Sequence, residues 1–233
     1  MSQRVCLVTG VGPGTGAALV RRFAAEGFRV AMLARDRARL EKLAGEIRGA
    51  LPFPVDLADL DALRATLARV RAELGPPTVL LHNAVAGGFG TFDTVKPEDL
   101  EARFRVNVTS LLVLAQELAP DMVAAGGGAI VATGNTAAWR GKASFAGFAP
   151  TKAAQRVLCE SLARGLGPQG VHVAYVVIDA VIDVPWTRKL YADKPDDFFI
   201  RPAGIADAVH HLVAQESSAW TFELDLRPFK ETW

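Results

Sequence analysis

Short apolar runs rich in β-branched residues alternate along the chain with longer segments whose apolar residues recur at helical spacing. The strand runs do not alternate apolar and polar residues, which is typical of strands buried on both faces of a parallel sheet. This order predicts a three-layer, doubly wound α/β fold. The predicted strands cover 4–10, 28–34, 51–57, 78–84, 128–134 and 171–179, and the predicted helices cover 16–27, 36–49, 59–75, about 97–124 and about 149–166.

The length of 233 residues suits a single domain over 1–233, and the apolar half of the composition is enough for a large core. A formal net charge of +1 with no basic stripe argues against nucleic acid and anionic membrane surfaces as partners. Apolar runs such as 111–115 are too short to span a bilayer, and no signal-peptide pattern precedes the first strand. We therefore expect a cytoplasmic protein without a metal site, in which Cys6 and Cys159 are buried thiols.

A glycine-rich turn, TGVGPGTG at 9–16, joins the first predicted strand to the first predicted helix. Its glycines allow a tight turn and let backbone N–H groups approach a pyrophosphate at a helix N-terminus. The position between a strand and a helix is the context that a dinucleotide site requires, and a glycine-rich turn without a ligand is the alternative. The residues expected at the phosphates are Gly10, Pro13, Gly14, Thr15 and Gly16.

The end of the second predicted strand indicates which dinucleotide is bound, because an acid there binds a ribose 2′-OH and an arginine fits a 2′-phosphate. This chain has Ala34 where the acid would be, followed by Arg35. Asp36 comes one residue later and fits the N-cap of the next helix. The pattern favours NADP(H) over NAD(H), with a solvated surface charge as the alternative for Arg35.

The glycine spacing TGxxxGxG, together with Asn107 and Lys152, resembles the short-chain dehydrogenase/reductase family over essentially the whole chain. The resemblance implies a nicotinamide dinucleotide cofactor and a homodimer or homotetramer that pairs the helices predicted at about 97–124 and about 149–166. In such a fold, the irregular-looking segment at about 183–200 is expected to be a substrate lid. The further cofactor contacts that the resemblance implies are Asp56, Leu57, Asn83, Ala84, Lys152, Asp179 and Ile182.

The candidate catalytic positions are Asn107, Asn135, Phe148 and Lys152. In the family, a tyrosine gives a proton to the forming alkoxide, a lysine lowers the pKa of that tyrosine and binds the nicotinamide ribose, and a serine holds the oxyanion. Here Phe148 stands at the tyrosine position, as in a poorly characterised offshoot of the family, and Asn135 stands at the serine position. Helical spacing predicts the Phe148 ring beside the Lys152 ammonium. Asn107 lies on an interior-facing stripe, where a structural amide is the alternative.

The absence of a phenol at position 148 removes a general acid, which is typically worth about 10²–10⁴-fold in rate. One hypothesis is an NADP(H) oxidoreductase whose reaction does not need the tyrosine, acting on cationic imines or activated alkenes. Asp179 would then be a counter-charge, or else a strand-end residue that caps local backbone. A second hypothesis is a nucleotide-binding protein without turnover. A third is a carbonyl reductase with a substitute acid, for which the candidates are Thr133, Thr136, Ser144 and Tyr191.

Overall fold

The computed structural model describes residues 4–231, so residues 1–3 and 232–233 of the predicted domain lie outside the described part. Strands and helices alternate along the chain, as the sequence predicts. The elements are β1 (Val5–Thr9), α1 (Thr15–Ala25), β2 (Arg29–Ala34), α2 (Arg37–Glu46), β3 (Ala50–Pro54), α3 (Leu60–Leu74), β4 (Val79–His82), α4 (Pro97–Phe104), α5 (Ser110–Ala124), β5 (Gly128–Asn135), α6 (Ala149–Leu166), β6 (Val171–Ile178), β7 (Val181–Ile182), α7 (Pro185–Leu190), β8 (Phe199–Ile200), α8 (Pro202–Val213) and β9 (Glu223–Leu226).

A seven-stranded sheet has the strand order β3-β2-β1-β4-β5-β6-β9, and its pairings are all parallel. The order reverses between β1 and β4, which opens a crevice at the carboxyl ends of these strands. The doubly wound parallel α/β fold predicted from the sequence is therefore confirmed. The strand at 51–57 ends earlier than predicted, at Pro54, and the strand at 78–84 ends at His82.

Both faces of the sheet are buried under helices. Helices α3, α5 and α6 cover one face, and α1, α2 and α8 cover the other. On β1, Leu7 packs into the first layer, whereas the adjacent Cys6 and Val8 pack into the second. Since neighbouring residues on a strand point to opposite faces, burial of both faces makes the strand continuously apolar.

The helix predicted at about 97–124 is present over that range, and a π turn that the sequence did not predict divides it into α4 and α5. Residues Arg105–Thr109 form a π turn between α4 and α5, and the Ser110 N–H bonds to the Arg105 carbonyl five residues back. The wider turn leaves carbonyl groups available for side chains, and the Ser110 hydroxyl donates a hydrogen bond to the Val106 carbonyl at 2.6 Å. Asn107 lies at the centre of this turn.

The segment at about 183–200 is ordered, which corrects its irregular appearance in the sequence. It contains α7, a short 3₁₀ turn and β8, which pairs with β7. Arg188 holds the segment together, because its guanidinium bonds to Asp183 at 2.6 and 2.8 Å and to Asp196 at 2.6 Å. The same guanidinium lies 4.1 Å above the Phe199 ring.

Within residues 4–231, no helix has both the length and the apolar character needed to cross a bilayer. The described side chains include no group of three or more His, Cys, Asp or Glu residues that could hold a metal ion. Cys6 and Cys159 are free and buried thiols.

Candidate active site and cofactor cleft

A cleft of about 740 Å³ opens at the carboxyl ends of the central strands, where the strand order reverses. Its lining brings together most of the residues that the sequence predicts for the cofactor. These are Gly10, Pro13, Gly14, Thr15, Gly16, Arg35, Asp56, Leu57, Asn83, Ala84 and Ile182. Lys152 and Asp179 do not line this cleft.

Gly10 and Gly16 make close backbone contacts that only glycine permits. Gly10 has φ +67°, and a Cβ there would lie 2.5 Å from Ala84 Cα. A Cβ on Gly16 would lie 2.5 Å from the Gly10 carbonyl oxygen. The Asn83 side chain closes the turn by donating from Nδ2 to the Gly10 carbonyl at 2.9 Å. These contacts fix the loop as a cradle at the start of α1.

The start of α1 has polar groups free to meet a phosphate. No side chain caps its N-terminus, and its first turn contains no acidic residue. Thr15 is buried, and its Oγ1 has no hydrogen-bond partner among the described residues. Helix N-terminal N–H groups and an unpaired hydroxyl suit an anionic ligand. The loop therefore fits the pyrophosphate of a dinucleotide.

Two arginines lie at the end of β2, where an adenosine ribose would bind. Arg35 and Arg39 both line the cleft. Asp36 is the N-cap of α2, as predicted, because it accepts the Arg39 N–H at 3.0 Å; it also pairs with the Arg39 guanidinium at 2.9 Å. Arg39 is not among the residues that the sequence predicts for the cleft; it lies in the first turn of α2, two residues after the helix begins at Arg37, whereas Arg35 precedes the N-cap.

Asn107 is completely buried, and each polar atom of its side chain has a protein partner. Its Oδ1 accepts the Ala86 N–H at 2.8 Å, while its Nδ2 donates to the Ala86 carbonyl at 3.0 Å and to Thr151 Oγ1 at 2.8 Å. The side chain therefore joins the π turn to the loop after β4 and to the first turn of α6.

Lys152 is only 2% exposed, and its ammonium is bonded to the protein interior. It donates to the Thr133 carbonyl at 3.1 Å and to Gln155 Oε1 at 2.7 Å. Burial lowers the pKa of this ammonium to about 8. The Gln155 Nε2 continues the chain by donating to the Asn107 carbonyl at 2.8 Å. The sequence reasoning missed Gln155, although it lies one helical turn from Lys152.

Phe148 precedes the first residue of α6, and its ring is buried, with 7% exposure. The ring packs edge-on against Phe145, with centroids 5.9 Å apart, in a small apolar cluster with Ala137 and Ala149. The ammonium of Lys152 bonds to Thr133 and Gln155, whereas the ring of Phe148 packs against Phe145; a side-by-side placement of the two groups stays a prediction.

A family model of short chain dehydrogenases matches residues 4–195, which is most of the chain. The chain belongs to the short-chain dehydrogenase/reductase family. The L-xylulose reductase of Mesocricetus auratus is 30% identical over 231 residues, covering 95% of this chain and 93% of that protein.

Solved structures of the family agree with the fold. A metagenomic short-chain oxidoreductase in complex with NADP has a TM-score of 0.85 and 31% identity, covering 98% of each chain. A 3-ketoacyl-(acyl-carrier-protein) reductase from Brucella melitensis complexed with NADH has a TM-score of 0.86 and 26% identity, covering 96% of each chain. The family's cofactor is therefore a nicotinamide dinucleotide, bound as NADP in one neighbour and NADH in the other.

Two predicted residues of this short-chain dehydrogenase/reductase have local structural contacts. Asn135 ends β5 half-buried, and its Oδ1 accepts the Ala137 N–H at 3.1 Å, so that the side chain caps a short 3₁₀ turn. Asp179 follows β6 half-buried, and its backbone N–H bonds to the Leu226 carbonyl at 2.9 Å. A role for either residue toward the substrate stays a prediction.

None of the four hydroxyl residues considered as substitute acids lines the cleft. The Thr133 hydroxyl donates to Asn83 Oδ1 at 3.2 Å. Tyr191 packs against Phe198 in the 183–200 segment, with ring centroids 5.6 Å apart. Ser144 is exposed, and its carbonyl accepts the Gly90 N–H.

Proposed function

We propose that this chain is an NADP(H)-dependent short-chain oxidoreductase whose reaction takes no proton from position 148. The observation that carries the proposal is the buried Phe148 ring, which packs in an apolar cluster where the family has its acid. A nicotinamide dinucleotide, when bound, supplies or accepts a hydride. The glycine loop and the Thr15 hydroxyl of this chain would hold its phosphates.

The preference for NADP(H) is supported by the charges at the end of β2. Arg35 and Arg39 both face the cleft, and an acid is absent from position 34. A pair of guanidinium groups suits a 2′-phosphate, because each presents several N–H donors in a fixed plane. The similar metagenomic oxidoreductase was solved with NADP. Arg35 is proposed to bind the phosphate directly, and Arg39 to reinforce it.

The proposed substrates are cationic imines or activated alkenes. Hydride addition to a ketone, as in the relative named L-xylulose reductase, leaves an alkoxide that needs a proton. Hydride addition to an iminium ion gives a neutral amine and needs no proton. Addition to a conjugated enone spreads the charge, and water can protonate the product later. A site with phenylalanine at position 148 fits the last two reactions better than the first.

A substrate panel assayed with NADPH tests this proposal. Cyclic imines, enones and simple ketones are compared by the initial rate of NADPH oxidation, with binding of NADPH measured separately by thermal shift. We expect imines or enones to react fastest. Ketones reduced fastest would contradict the proposal and would point to a substitute acid.

The second candidate function is NADP(H) binding without turnover. The observation that favours it is the internal bonding of every polar atom of the Asn107 side chain and of both the oxygen and the nitrogen of the Gln155 amide beside Lys152. A protein of this kind would raise its melting temperature with NADPH and yet oxidise none in the presence of any member of the panel. Single-turnover measurements at high protein concentration separate the two candidates.

The segment 183–200 is proposed to be the substrate lid. Val184 and Trp186 line the cleft, and a Cβ on Gly14 would lie only 2.6 Å from Val184 Cγ1. The segment therefore lies directly against the glycine loop. Its position supports a part in covering the bound cofactor and substrate.

We propose that the chain forms a homodimer or homotetramer in the cytoplasm, with the exposed surfaces of α5 and α6 as the contact between subunits. Leu112 on α5 is 37% exposed, and Val157 on α6 is 56% exposed. Such apolar side chains on neighbouring helices are suited to a symmetric contact. We expect Val157→Arg to give monomers by light scattering at micromolar concentration, while the control Lys42→Glu, at an exposed position on α2, stays assembled. A monomeric parent protein would contradict the assembly.

A further inference from the structure

Gln155 is a completely buried glutamine whose side-chain amide is bonded at both ends. Its Oε1 accepts a hydrogen bond from Lys152 Nζ at 2.7 Å, and its Nε2 donates to the Asn107 carbonyl at 2.8 Å. That carbonyl lies in the π turn, which frees it from the α-helical pattern. The amide thus spans the gap between the π turn and the ammonium.

The bonded groups form a chain that runs from the Asn107 carbonyl through the Gln155 amide and the Lys152 ammonium to the Thr133 carbonyl. Carbonyl oxygens only accept, and a carboxamide has separate donor and acceptor atoms. An amide in this position would have to become an imidic acid to pass a proton along. A hydroxyl or a water molecule can rotate and exchange its roles, whereas this amide cannot.

The titratable groups around Lys152 are neutral near pH 7. Burial first, and then the charge of Lys152, lower the pKa of His82 to about 3. Burial raises the pKa of Cys159 to about 12 and also raises the pKa of Tyr175, whose hydroxyl donates to the Lys152 carbonyl at 3.4 Å. The described residues include no carboxylate paired with this ammonium. Neutral dipoles alone therefore hold the charge.

We propose that Gln155 is a positioning residue that fixes the Lys152 ammonium as a stationary hydrogen-bond donor and keeps it out of any proton relay. This role of Gln155 rests on the proposed function, because it matters only if Lys152 binds the cofactor. The measurements that test it do not depend on cofactor binding. It explains how a lysine can serve binding beside a position that has no acid. Gln155 acts through Lys152 and is not itself proposed to touch the substrate.

The first test measures the pKa of Lys152 in the unliganded full-length protein labelled with ¹⁵N-lysine. The Nζ signal is assigned by its loss in Lys152→Met and titrated by NMR. Gln155→Glu places a carboxylate at the position of the amide oxygen, so we expect the pKa of Lys152 to rise by at least about one pH unit. The matched control is Gln169→Glu, an exposed glutamine that donates to the Gly165 carbonyl at 2.9 Å. It should leave Lys152 unchanged.

The second test measures how fast the Lys152 ammonium protons exchange with solvent, using the exposed Lys42 as an internal reference. We expect slow exchange in the parent protein and at least about tenfold faster exchange in Gln155→Ser, where the shortened side chain leaves room for a water molecule. If Gln155 only fills space, Gln155→Glu and Gln155→Ser would lower the melting temperature but would change neither the pKa of Lys152 nor the exchange rate of its ammonium protons.

Two results would overturn the proposal. One is a Lys152 pKa that does not respond to Gln155→Glu in folded protein. The other is exchange in the parent protein as fast as that of Lys42, and this second result needs no variant to fold. Both measurements are made without cofactor, so a failure here is distinguishable from a failure of NADPH to bind.

Discussion

Polar groups are bonded in opposite ways in two regions of this molecule. The phosphate end, or open end, is the glycine loop with the start of α1. The lysine end, or closed end, is the set of buried groups around Lys152. At the phosphate end, α1 begins without a side-chain cap and the buried Thr15 hydroxyl has no described partner. At the lysine end, the oxygen and nitrogen atoms of the Asn107 and Gln155 side chains are all bonded to the protein. Buried polar groups left open indicate a place for a ligand, whereas groups bonded internally hold a structure. Nucleotide binding and acid catalysis can therefore be separated in one scaffold.

The largest expected effect tests the open end. Gly16→Ala places a Cβ 2.5 Å from the Gly10 carbonyl oxygen and 2.8 Å from Val11 Cα, and backbone atoms cannot move away easily. We expect the affinity for NADPH to fall at least about 100-fold, or roughly 3 kcal/mol, measured by calorimetry. Gly12→Ala is the matched control, since its Cβ would meet no atom within 4 Å. Equal losses in both variants would mean that the loop is not a shaped cradle.

The next effect tests the closed end. Phe148→Tyr adds a hydroxyl to a ring packed in an apolar cluster, so we expect the free energy of unfolding to fall by about 1–3 kcal/mol. We also expect no gain in ketone reduction, because Gln155 keeps Lys152 out of a relay. The triple variant with Phe148→Tyr, Asn135→Ser and Gln155→Ser should reduce ketones faster than the parent protein and faster than Phe148→Tyr alone. Thermal unfolding checks the expected loss of stability, and the initial rate of NADPH oxidation checks the expected rates of ketone reduction. Fast ketone reduction by Phe148→Tyr alone would show that the lysine end is open after all.

His82 lies between the two ends, at the end of β4, with its Nδ1 3.2 Å from Thr9 Oγ1. Burial and the Lys152 charge keep the folded ring neutral to about pH 3, whereas the unfolded chain takes up a proton near pH 6.5. The unfolded chain thus binds more protons in this range, and stability falls as the pH falls below 6.5. We expect a loss of up to about 2 kcal/mol between pH 7 and pH 5.

Denaturant unfolding at several pH values checks the expectation for His82. His82→Asn, which cannot titrate, should show a smaller loss between pH 7 and pH 5. His211→Asn, which replaces an exposed histidine, should behave as the parent protein does. A parent protein with constant stability over this range would mean that the ring is accessible to solvent.

The smallest effect sharpens the description of the open end. Arg35→Ala should reduce the affinity for NADPH about tenfold, by roughly 1.4 kcal/mol, and leave the affinity for NADH nearly unchanged. Arg37→Ala is the control, because Arg37 is exposed, pairs with Glu41 and does not line the cleft. Equal affinities for the two nucleotides in the parent protein would remove the NADP(H) preference.

The residues that the sequence predicted for the open end line one cleft, because their placement depends on local structure. A glycine turn between a strand and a helix needs only neighbours in the chain, and Arg35 is placed by the strand that precedes it. The sheet was predictable for a similar reason, since burial on both faces leaves its mark on every strand. The absence of an acid at position 148 was also readable, because a phenylalanine lacks the atom in any conformation.

The closed end was harder to predict because its contacts join distant parts of the chain. The partner of the Gln155 Nε2 is the Asn107 carbonyl, which lies 48 residues earlier in the sequence. The partners of the Phe148 ring depend on how the loop before α6 folds, so helical spacing did not predict its packing against Phe145. The 183–200 segment looked irregular because the Arg188 contacts that order it are ionic and leave no periodic pattern.

The π turn at Arg105–Thr109 has a consequence for how this lineage can tolerate insertions and deletions. A π turn amounts to one residue more than a regular helix needs over the same length. Deleting one residue there would let α4 and α5 merge into a regular helix of the same length, so that the flanking helices would keep their relative orientation and only the side chains of the turn would change direction. Asn107 would lose its alignment with Ala86 and Thr151, and its carbonyl would return to the helix. A single-codon deletion in these five positions would therefore remove the contacts of Asn107 without replacing Asn107 itself, and chain length is as much a part of this site as residue identity.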